Sequence, residues 1–165
     1  MTTGQAFYAK QGTTYVIKLV GEIRYTMGCS LDDFLNRLFA KGDYTDILVD
    51  LTEAISVDST SLGLLAKIAN FMRMRYDRKV TLISTNADIN QMLDNVGFYQ
   101  VFNICDDRAA CVEATQQLPL EEISKPQLTR TVYEAHALLS ELNERNRDSF
   151  KGVVEALRTK LAGTP

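Results

Sequence analysis

Histidine is almost missing from this chain; His136 is the only one. A serine or cysteine nucleophile needs a base beside it, so any such dyad would have to use that one ring. His136 falls beside the apolar seam of a C-terminal helical stretch and reads as a packing or surface residue. The three cysteines, Cys29, Cys105 and Cys111, are widely spaced and odd in number. That pattern excludes a disulfide framework and shows no metal-ligand spacing. Free, reduced thiols in a cytoplasm are the expectation. No apolar run approaches the roughly 18 residues that span a bilayer, and the first residues lack a charged-then-apolar leader. A cytoplasmic location without membrane insertion is expected. Basic excess is absent too. The net charge is −3, with no basic stripe, so nucleic acid is not an expected partner. The cluster Arg73–Lys79 reads as a solvated helix end, where cations suit the dipole. There is no G-x-S-x-G elbow and no P-loop lysine. Asp32-Asp33 and Glu121-Glu122 are neighbours in sequence, and neither pair converges on a substrate. No enzyme activity, cofactor or metal is expected.

Apolar residues make up 45% of the 165, enough for a real core. A chain of this length hides roughly two-thirds of its unfolded surface. Ala6–Lys10 reads as an edge strand, and Tyr15–Glu22 as an alternating strand after the turn at Gln11-Gly12. Ser30 reads as an N-cap, followed by Leu31, Phe34, Leu35 and Leu38 at helical spacing. Asp46–Leu51 is a short apolar run suited to a buried central strand. Ser59–Tyr76 reads as a helix, Lys79–Ser84 as a strand and Ala87–Val96 as a helix closed by Gly97. Val101–Ile104 reads as a strand and Asp107–Gln117 as a last helix of this unit. Alternating strands and helices predict an α/β fold with a mixed sheet and helices mainly on one face.

The segment Ile47–Gly63, ILVDLTEAISVDSTSLG, carries the chemistry. It predicts a strand, a short loop and a helix start crowded with Ser56, Asp58, Ser59, Thr60 and Ser61. A hydroxyl there can cap the helix. It can also carry a phosphate, because free N–H groups and the positive dipole end favour an anion. Met27, Met72 and Met74 offer an adaptable contact surface or core packing.

Val57–Gly63, V-D-S-T-S-L-G, resembles the D-S-S-G-L-G signature of STAS domains, above all the bacterial anti-sigma factor antagonists. YVIKLVGEIR and DNVGFYQVF are similar to two further family segments, and the likeness spans roughly residues 5–117. The resemblance implies a STAS-like fold, with Ser59 as phosphoacceptor after Asp58 and with Thr60 and Ser56 as alternatives. It also implies a partner surface of Asp58, Ser59, Thr60, Ser61, Leu62 and Gly63. Ser61 stands where the family has glycine, and Arg24 where it often has an acid. The implied partners are an anti-sigma factor that is also a serine kinase and a resetting phosphatase of the metal-dependent PP2C type. The implied role is partner switching; the alternative is a constitutive docking subunit of a transporter or stress-signalling complex.

Residues 118–126 read as a linker between a domain over 1–117 and an extension over 127–165. Ser124 and Gln127 fit a capping box, with Pro126 in the first turn. Apolar residues then recur every three or four positions from Leu128 to Leu161. One long C-terminal helix is expected, with an interruption at Asn146–Ser149 and Gly152 as the alternative. Such a helix needs a surface. It packs back on the domain, self-associates into a homo-oligomer, or serves as a binding arm.

Overall fold

The apolar positions of the second strand set the architecture. In a computed structural model, which describes residues 3–107, 113–114 and 116–163, Tyr15, Ile17, Leu19 and Ile23 point into the core from β2 (Thr14–Ile23). β1 (Gln5–Gln11) pairs with β2 antiparallel, through a tight turn at Gly12. β3 (Asp46–Val57), β4 (Val80–Ile83) and β5 (Phe102–Cys105) continue the sheet in parallel. β6 (Gln116–Gln117) closes the other edge against β1, giving the order β5-β4-β3-β2-β1-β6 among the described residues.

The helices are α1 (Gly28–Ala40), α2 (Ser59–Tyr76), α3 (Ala87–Asn95), α4 (Lys125–Ser140) and α5 (Glu144–Ala162). Ile47, Val49, Leu51, Ala54 and Val57 of β3 join the same core as the leucines of α1 and α2. The opposite sheet face carries Lys18, Glu22 and Glu53, which stay partly or fully exposed. The fold is thus α/β, a mixed sheet with helices on one face.

Four expectations are corrected. Ser30 does not cap α1; the helix runs on from a 3-10 turn at Tyr25–Met27, and Ser30 lies buried inside it. β3 extends to Val57, six residues past the predicted end, because Ala54 and Val57 still have core to fill. The helix expected over 107–117 does not reach its C-terminal end: Gln116–Gln117 are strand, and Tyr8 pairs with Gln116. Residues 108–112 and 115, with Cys111 among them, lie outside the described residues.

The C-terminal helix is two helices rather than one. The break falls at Glu141–Asn143, earlier than the Asn146–Gly152 stretch, because Asn143 is an N-cap. Its side chain accepts from the Asn146 amide at 2.8 Å. Asn146 is an anchor and not an interruption. It is buried, and its Nδ2 donates to Val96 O at 2.9 Å and Leu139 O at 3.0 Å. The predicted cap at Ser124 is present, accepting from the Gln127 amide at 3.4 Å.

Candidate functional site

The β3–α2 junction is built by register. β2 and β3 pair from Thr14↔Asp46 to Ile23↔Val57, with two irregularities between Lys18 and Glu22. Their ends therefore finish side by side, and Tyr25 follows one strand as Asp58 follows the other. The Asp58 amide donates to Ile23 O at 3.1 Å. Its Oδ2 accepts from the Tyr25 amide at 2.6 Å, and its Oδ1 accepts from the Ser61 amide at 2.9 Å. Asp58 is the N-cap of α2 and the clip that holds the end of β2 to it. No loop separates strand from helix here; Asp58 alone makes the turn.

With Asp58 as cap, Ser59 is free of that duty. Ser59 is the first residue of α2 and half-buried. Its Oγ is hydrogen-bonded to His136 Nε2 at 2.8 Å. His136 Nδ1 lies 2.7 Å from Val132 O. A carbonyl only accepts, so Nδ1 carries the proton. In the neutral ring Nε2 is then the acceptor, and the Ser59 hydroxyl donates to it. Phe150 of α5 stacks edge-on against the ring at 5.7 Å. The packing reading of His136 is met; its bond to Ser59 across 77 positions had no signal in the sequence. The pair lacks the third member of a triad, since a backbone carbonyl stands where a carboxylate would orient the base. Two clefts of about 620 and 790 Å³ are lined by other residues.

Thr60, Ser61 and Leu62 are buried at 3%, 2% and 2% exposure, so Thr60 is withdrawn from a protein partner while Ser56 is exposed on β3. Gly63 meets α4 directly: a Cβ built there would lie 2.2 Å from Ala135 O. The six residues of the expected partner surface are thus contiguous, but α4 lies over part of them. Met27 and Met72 are core residues, at 4% and 0% exposure. Met74 is 74% exposed, yet it sits near the far end of α2. Beside the junction, Tyr25 and Ile55 are the exposed large apolar side chains, at 47% and 52%. No helix among the described residues is long and apolar enough to cross a membrane.

A family model for the STAS domain matches residues 7–111. No curated protein matches the sequence. Among solved structures, an anti-sigma factor antagonist from Mycobacterium paratuberculosis shares the fold with a TM-score of 0.57 at 13% identity, over 65% of this chain and 89% of that one. The hairpin of α4 and α5 lies beyond the family match. The matched segment covers most of β1, β2 to β5, α1 to α3 and the whole Asp58–Gly63 junction, and the chain belongs to the STAS family.

Proposed function

We propose that this STAS chain is an anti-sigma factor antagonist that works by partner switching, with Ser59 as its phosphoacceptor. The carrying observation is that Asp58, not Ser59, caps α2. A serine at a helix start is ordinarily a cap; here that job is taken, and the hydroxyl points at another helix. The same architecture occurs in the mycobacterial anti-sigma factor antagonist. Unphosphorylated, the protein binds an anti-sigma factor that is also a serine kinase, and a sigma factor is released. The kinase moves the γ-phosphoryl group of ATP to Ser59 Oγ: the new O–P bond forms, the bond to ADP breaks and the hydroxyl proton leaves. A dianion must then be desolvated against the partner, and the complex dissociates. A PP2C-type phosphatase resets the site by hydrolysis.

Phosphopeptide mapping after incubation with the cognate kinase and ATP tests the assignment. Label should sit on Ser59 and vanish in Ser59→Ala. Label retained in that variant, on Ser56 or Thr60, refutes it. In calorimetry, phosphoprotein should bind the anti-sigma factor at least about tenfold more weakly than the unmodified chain. Equal affinity of the two forms refutes switching and favours a constitutive docking module.

A further inference from the structure

The family match ends before the hairpin, yet the hairpin covers the site. α4 packs on α2 and α1, and α5 packs on α4. Ala135 O sits against Gly63, and His136 takes the Ser59 hydroxyl. Thr131 Oγ1 lies 3.3 Å from Cys29 Sγ. At the other end, Asn143 and Asn146 hydrogen-bond Val96 O. The contact is half polar: of the four buried residues of α4, Thr131 and His136 each hydrogen-bond the domain, beside Ala135 and Leu139. Polar interfaces of this kind mark elements that dock and release. The tether 119–122 is exposed and, among the described residues, held to α1 by a single bond, from the Glu121 amide to Ser30 Oγ at 3.0 Å.

We propose that the α4–α5 hairpin is a releasable lid, occupying the α2 face that a partner protein needs, so that closing the lid and binding the partner exclude one another. The inference rests on the reading of Asp58–Gly63 as the partner surface. A partner first meets what the lid leaves open, Tyr25, Ile55 and Ser56, and gains the α2 face as the hairpin leaves. The lid also senses the modification. Oγ and Nε2 are 2.8 Å apart, with no room for a phosphorus and its oxygens between them. Phosphoserine at 59 therefore holds the lid open and stays within reach of a phosphatase.

Amide exchange on the full chain tests separability without any partner. In the wild type, α4 and α5 should exchange at least about tenfold faster than β2 and β3, by local opening. Ala135→Glu, which puts a carboxylate at a buried position of α4, should raise hairpin exchange about tenfold further and leave the sheet unchanged. His136→Ala, which removes only the Ser59 bond, should raise it less. Thr131→Cys, oxidised onto Cys29 in a Cys105→Ser, Cys111→Ser background, should slow it. If the hairpin exchanges only together with β2 and β3, and Ala135→Glu accelerates both alike, the hairpin is core and the lid is overturned. The second arm incubates the same full-length proteins with the cognate kinase and ATP. Labelling of Ser59 should be several-fold higher in Ala135→Glu than in wild type, and should fall to background in the oxidised lock until a reductant restores it. Equal labelling of all three overturns gating. No labelling of any form overturns the Ser59 reading, while the exchange result still decides whether the hairpin opens.

Discussion

Gly63→Ala puts two effects of opposite sign on one methyl group. Within α2, alanine is favoured over glycine by about 1 kcal/mol, through helix propensity. Across the interface, the new Cβ would sit 2.2 Å from Ala135 O, 2.5 Å from its carbonyl carbon and 2.8 Å from its Cα. Carbon–oxygen contacts settle near 3.3 Å or beyond, so the helices must part by about 1 Å. The obstruction is backbone and cannot rotate away. Overpacking of this kind costs about 1–3 kcal/mol, and the contacts of Thr131, His136 and Leu139 loosen with it. The clash has an outlet, because undocking the hairpin removes it entirely. Global stability should therefore fall by no more than about 2 kcal/mol, while hairpin amides lose protection and those of β2 and β3 keep it. Urea unfolding followed by far-ultraviolet circular dichroism, with peptide-resolved amide exchange, reads both quantities. A variant stabilised by about 1 kcal/mol, with α4 exchange unchanged, would show that propensity alone operates and that α4 does not approach Gly63 so closely.

Two further outcomes follow from Asp58 in the site and from Tyr44, packed on Tyr15 and Tyr76 at the far end of β3 and α2. Asp58→Ala removes the α2 cap and the acceptor of the Tyr25 amide together, and should cost about 2 kcal/mol in urea unfolding; a loss under about 0.5 kcal/mol would contradict the clip. Burial pushes the Tyr44 hydroxyl from 10.0 up to about 12. The folded state thus prefers the protonated phenol. That preference is complete below pH 10 and is lost as pH rises through about 12, up to about 3 kcal/mol in all. Tyr44→Phe keeps the ring but not the proton, and should flatten the alkaline fall of stability between those values; an unchanged profile would assign the fall to other groups.

The sheet domain was legible because its signals are local and repeated. Alternation along β2, helical spacing after Leu62 and the side chains around Asp58 each act within a few residues, and each element stands close to where those patterns put it. Two of the errors share one cause. β3 outran its apolar run because pairing with Val20–Ile23 of β2 carries it through Glu53–Val57. β6 formed in a segment read as helix because the β1 edge offered Phe7 and Tyr8 as partners. In both cases tertiary pairing overrode local preference.

The hairpin shows the same limit in sharper form. Leucines at steps of three and four specify that the tail has an apolar face, but not what it lies on. Its position is fixed by polar residues that sequence reasoning discounts. Asn146 looked like a flaw in the seam, and it donates both to Val96 O of the domain and to Leu139 O of α4. His136 looked like packing, and it takes the hydroxyl of Ser59. Gly63 belonged to a motif read for its partner, and its missing side chain is what lets α4 approach. Such residues are informative only in pairs, and the pairs that cross to the domain are separated by 50 to 77 positions. A polar docking surface yields to water more readily than a purely apolar one, because each released group regains hydration. The features that hid the hairpin's position in the sequence are therefore the ones that suit it to leave α2 when a partner arrives.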